Sequence, residues 1–120
     1  FHVVDDPSGT PINKKISAEN VFNNIPSWLG LAQTSQSITA DASSQVANVT
    51  TAVTEINATS ATGAISLADG SDGQLKIFIN TSTSNTNNVV ITPTNLRGGT
   101  TITLNAQGET VMCIFKNSIS

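Results

Sequence analysis

Gln74-Leu75-Lys76-Ile77-Phe78-Ile79-Asn80 follows directly on Asp69-Gly70-Ser71-Asp72-Gly73. The earlier segment is a tight turn, because Asp and Ser bond locally to the backbone and Gly reaches the positive φ such turns need. The later one is a strand: Leu75, Ile77 and Ile79 alternate with Gln74, Lys76 and Phe78 at the period of a pleated sheet. Outward from this pair the pattern repeats. Ala64-Ile65-Ser66-Leu67 precedes the turn as a strand, and the polar stretch Thr81 to Asn88 follows as a loop. Then come Val89-Val90-Ile91-Thr92, a break at Pro93, a turn at Arg97-Gly98-Gly99, Thr100 to Leu104, a turn at Gln107-Gly108, and Thr110 to Phe115. Turn signals about every eight to twelve residues predict a sandwich, a barrel or a trimeric prism. The fold expected is mainly β, with an antiparallel sandwich- or barrel-like module over residues 61–120.

Upstream the signal weakens. Residues 32–48 are small and polar, in the manner of a linker. Val46, Val49, Val53 and Ile56 have a spacing that suits one face of a helix. The Thr and Val around them are poor helix formers and stiff at χ1, so strand stands ahead of helix for 46–56. The segment 36–60 is accordingly set apart as a linker or first strand.

Residues 1–35 have another character. Phe1-His2-Val3-Val4 is a short extended run ended by Asp5-Asp6-Pro7-Ser8-Gly9-Thr10-Pro11, and Ile12 to Ile16 can pair back on it as a long-looped hairpin. Ser17 reads as an N-cap with Glu19 in the first turn, and Pro26 stops the helix, which spans roughly Ala18 to Asn23. Val21, Phe22, Ile25, Trp28 and Leu29 place bulky apolar surface in a segment too short to bury it internally. They read as anchors for another surface.

The composition narrows the function. Charged residues are 11% and aromatics 4% of the 120 residues, with no Tyr, while Asn, Ser and Thr exceed a third. A chain with so few large side chains gains burial from a partner or from copies of itself, and a homotrimer is expected. Net charge is −3, and the five Lys and Arg residues form no basic stripe, so a nucleic-acid partner is not expected. No apolar run is long enough to cross a bilayer. One cysteine, Cys113, excludes an internal disulfide, and a single histidine, His2, leaves no catalytic pair with anything to hold it. No catalytic, cofactor or metal residues are assigned. The Asp69 to Gly73 turn has two carboxylates but lacks the length and distal Glu of a calcium loop.

Two stretches carry a resemblance. Leu67 to Lys76, Val89 to Leu96 and Gly98 to Val111 resemble a C-terminal β module of phage structural proteins. The opening Val3-Val4-Asp5-Asp6-Pro7-Ser8-Gly9-Thr10-Pro11, with Lys14-Lys15-Ile16, resembles the start of phage head-fibre, decoration and tail-fibre proteins. The resemblance implies a non-enzymatic virion component on the capsid exterior, a cement or head-fibre protein. Its N-terminal arm would bind the major capsid protein through Phe1, Val3, Ile12, Ile16, Val21, Phe22, Ile25, Trp28 and Leu29. The second expectation from the same resemblance is a tail-fibre or receptor-binding module that recognises a host surface.

Overall fold

The computed structural model describes residues 2–5, 12–15 and 35–116. At the N-terminus, β1 (His2–Asp5) and β2 (Ile12–Lys15) pair antiparallel, with His2 opposite Lys15 and Asp5 opposite Ile12. The helix expected over 18–23 and the apolar cluster Val21 to Leu29 lie outside the described residues.

From residue 36 the chain runs through β3 (Gln36–Ala40), β4 (Gln45–Ala47), β5 (Val53–Ala58), β6 (Thr62–Leu67), β7 (Leu75–Asn80), β8 (Asn88–Pro93), β9 (Ile102–Leu104) and β10 (Thr110–Ile114). These strands form two four-stranded sheets. The first has the order β10-β7-β5-β3, the second β4-β6-β8-β9.

Through β8, successive strands alternate between the sheets, so the chain winds as a solenoid of three two-strand rungs: β3/β4, β5/β6 and β7/β8. Neighbours within each sheet are parallel across these rungs. After β8 the chain reverses. β9 lies antiparallel on β8, and β10 antiparallel on β7, as a fourth rung wound backward. The expected antiparallel module is thus a pair of mixed sheets, antiparallel only at the last rung. The connections explain this. Those joining β3 to β8 are three to seven residues long, and each carries the chain across to the facing sheet instead of back beside its own strand. The crossover that parallel neighbours require is therefore itself a strand of the other sheet.

Within the segment set apart as a linker or first strand, residues 36–47 carry β3 and β4, the first rung. Residues 46–56 are strand and loop, not helix: Val46 lies in β4, Val53 and Ile56 in β5. The helix-like spacing came from two strands read as one. Ile56 points into the core while Val53 faces out, as alternation within β5 demands.

Between the sheets lie Ile56, Phe78, Ile65, Leu67, Val89, Ile91 and Leu104, with the small residues Ala40, Ala47 and Ala58 near the first rung. Gly63 is required there. A Cβ on it would stand 2.8 Å from the Ala58 Cβ and 3.1 Å from that of Ala40. Two other glycines shape the last rung. Gly73 (φ 81) and Gly108 (φ 84) each sit third in a turn and open a β-bulge. Gly73 N donates to Phe115 O at 2.8 Å while Phe115 N donates to Gln74 O at 2.9 Å. At the other end, Gly108 N donates to Asn80 O at 2.7 Å and Asn80 N to Glu109 O at 2.9 Å. The β7–β10 ladder is bounded by a bulge at each end.

Candidate functional site

Alternation divides each sheet into an inner and an outer face, and the two outer faces differ in kind. On the second sheet, pairing aligns Thr62 with Asn88, Ala64 with Val90 and Thr103, and Val46 with Ser66 and Thr92. That face is mostly small and polar, with Val46 its one large exposed apolar side chain. On the first sheet, Val53, Ile77 and Met112 form one row across three strands, and Leu75 and Ile114 form the next. Ile79 extends the patch toward Glu55 and Thr110. Met112 is 64% exposed and Ile114 65%, and the other four are half-buried only by their neighbours in the sheet. Among the described residues, no strand or helix packs over this face.

The two ends of the solenoid differ as well. At the first rung Gln36 ties the edge shut: Nε2 donates to Val46 O at 3.2 Å, and Oε1 accepts from Asn48 N at 2.9 Å and from Thr54 Oγ1 at 3.2 Å. At the last rung β9 and β10 stand apart over a cleft of about 770 Å³. Its apolar lining includes Leu67, Leu96, Ile102, Val111 and Phe115, and Asp69, Arg97 and Lys116 form part of its wall.

The inner face of β7 holds polar side chains. Lys76 is fully buried. Its Nζ donates to Thr51 O at 2.7 Å and Thr51 Oγ1 at 3.2 Å, and it lies 5.7 Å from the centre of the Phe78 ring. Loss of water around the ammonium lowers its pKa from 10.5 to about 8. Gln74 Nε2 donates to Val49 O, and its Oε1 accepts from Ser71 N at 2.8 Å. Asn80 Oδ1 accepts from Ser82 N at 3.0 Å and Ser82 Oγ at 2.5 Å, and Asn80 Nδ2 donates to Asn87 O at 3.2 Å. These donors satisfy carbonyls that the solenoid's corners turn inward, a structural role.

Cys113 stands opposite Lys76 in the ladder, and burial pushes its thiol pKa up, away from the nucleophilic thiolate. In the Asp69 to Gly73 turn both carboxylates are engaged: Asp72 with Lys116 Nζ at 2.8 and 3.0 Å, Asp69 Oδ2 with Asn95 Nδ2 at 2.8 Å. Among the described residues, no three His, Cys, Asp or Glu side chains converge as metal ligands.

Of the nine expected partner-binding residues, Val3 and Ile12 lie in the paired strands β1 and β2, opposite Lys14 and Asp5. Phe1, Ile16, Val21, Phe22, Ile25, Trp28 and Leu29 lie outside the described residues. The apolar face of the first sheet was not among the expected contacts. Its signal was the run of Leu75, Ile77 and Ile79 on one side of β7, with Phe78 on the other. Compared with protein-family models, curated proteins and solved structures, the chain finds no match.

Proposed function

We propose that this chain is a structural component of a phage particle, a capsid decoration protein that acts by being assembled and turns over no substrate. The N-terminal arm holds it to the major capsid protein. The solenoid clusters with its copies, three together, through the outer face of the first sheet. The observation that carries this reading is the contiguous apolar patch of Val53, Leu75, Ile77, Ile79, Met112 and Ile114 on the outer face of the first sheet, which the second sheet, with only Val46 as a large exposed apolar residue, does not match. A sheet face is left apolar where something covers it. The six residues of the patch leave of order 400 Å² of apolar surface in water, which at roughly 25 cal/mol per Å² is about 10 kcal/mol gross per face before the costs of association. Clustering then multiplies a modest attachment by each arm, because bound copies raise one another's effective concentration on the shell.

The test is genetic. Particles lacking this chain should adsorb to the host normally and release their genome at a lower temperature, because a protein that binds only the assembled shell stabilises it by mass action. Unchanged heat stability with lost adsorption would replace this reading with that of a receptor-binding module.

A further inference from the structure

The four rungs are not held alike. In β5, β6 and β7 every second residue is buried, whereas β9 buries only Leu104 and β10 buries none. Apolar burial is the main force that holds a strand to its neighbours, so the last rung rests chiefly on its main-chain bonds. Its side-chain fastenings lie at the surface. Lys116 pairs with Asp72 and Asn95 donates to Asp69, both at exposed sites where water competes. The second and third rungs are locked from inside, by Gln74, Lys76 and Asn80. The first rung buries little as well, but Gln36 on β3 bonds to Val46 and Asn48 and so stitches its two strands together. Among the described residues no such tie joins β9 to β10, and the cleft of about 770 Å³ lies between them.

We propose that the last rung is a strap: from Gly98 to the end of β10 it opens as one unit, at lower cost than global unfolding, and leaves β7 and β8 bounding a three-rung body. Sparse packing is what sets such a unit apart from the rest of a fold. The connectivity makes it a single unit. β9 and β10 are joined by residues 105–109, where Glu109 Oε2 accepts from Asn105 N at 2.6 Å and holds the turn closed. The hinge lies on the other side. Thr94 N and Oγ1 donate to Leu67 O at 2.9 and 3.2 Å and fix the end of β8, and Gly98 (φ 90) and Gly99 follow before β9. Glycines there absorb the backbone rotation that a swing of the strap needs. Opening also spares the inner locks. Of the side-chain bonds on the inner face of β7, only the long one from Asn80 Nδ2 to Leu104 O, at 3.4 Å, crosses to the strap. The strap is independent of the virion reading and of the sheet-face contact.

The test is hydrogen exchange of the full folded chain at neutral pH and low urea, on the parent and on Ile65→Val. In the parent, the amides of β9 and β10 should exchange through one shared opening. Its urea dependence should be shallower than that of β5 and β6, because less surface is exposed. Ile65 is buried in β6, separated from β9 by β8, and stays packed when the strap opens. Ile65→Val shortens that side chain by one carbon and should speed exchange in β5 and β6 about two- to tenfold, with β9 and β10 unchanged. Acceleration of β9 and β10 by the same factor, or a urea slope equal to that of β5 and β6, makes the chain one cooperative unit and overturns the proposal. Exchange in β9 and β10 that differs residue by residue and ignores urea overturns it too, since that is fraying.

Discussion

Lys76 is a fully buried ammonium whose partners are one carbonyl, one hydroxyl and a ring face. Its pKa falls from 10.5 to about 8 in the folded chain. Between those values the unfolded chain holds a proton that the folded chain has released, so stability rises as pH rises through that window. Below it, the buried charge costs stability. At about 1.4 kcal/mol per pK unit the ceiling is about 3 kcal/mol, and hydrogen bonding to Thr51 reduces the recoverable part to about 1–2 kcal/mol. Lys76→Met keeps the volume and removes the charge. It should raise stability at pH 7 by that amount, a few degrees in melting temperature. Cys113, which faces Lys76 across the ladder, opposes the trend. Its thiol pKa is raised from 9.0, so the unfolded chain ionises first and stability falls as pH climbs past about 9. The assay is therefore urea unfolding from pH 7 to 10.5 in a Cys113→Ser background, with and without Lys76→Met. The parent curve should climb above pH 8 and the variant curve stay flat. A Lys76→Met protein less stable than its parent at pH 7, or a parent curve without the climb, would refute the reasoning.

Gly63→Ala should cost about 1–3 kcal/mol in chemical denaturation, because the Ala58 and Ala40 methyls it meets belong to packed backbone that cannot give way cheaply. Asn80→Ala strands the N–H of Ser82 and the carbonyl of Asn87 in or near the core, and a loss of about 2–4 kcal/mol should appear in the same measurement. Gly108→Ala meets no steric neighbour but must hold φ 84, which should cost about 1 kcal/mol. In the arm, Trp28→Ala and Phe22→Ala should each reduce occupancy on particles more than Lys14→Ala or Lys15→Ala does, as read from the protein content of purified particles.

Strand positions from Ala64 to Phe115 were legible in the sequence, because alternation and turn chemistry are local. β6, β7, β8, β9 and β10 fall where those signals put them, and Pro93 ends β8. Pairing was not legible. A turn such as Asp69 to Gly73 reads the same whether it returns the chain beside its own strand or hands it to the facing sheet. Only long-range register, with Thr54 between Gln36 and Phe78, distinguishes them. The orientation of β7 was hidden for a related reason. Alternation separates Leu75, Ile77 and Ile79 from Gln74, Lys76, Phe78 and Asn80 without saying which set faces in. Here the set with the polar residues does, because the corner carbonyls of Val49 and Thr51 need donors inside and Phe78 fills the core between them. The aliphatic set is left on the outer side of the sheet, which is how a strand of ordinary appearance yields an apolar outer face. The nine arm residues, by contrast, rest on composition and resemblance.

The central claim is that this chain works as an assembled subunit on a shell. Imaging intact particles at a resolution that separates the two sheets tests it most directly. The account predicts density for the solenoid on the outside of the capsid, copies grouped in threes, the Ile77 and Met112 face turned toward the group's axis and the N-terminal arm laid on the major capsid protein. Solitary copies with that sheet face open to solvent, or density for the chain at the tail instead of the shell, would contradict it.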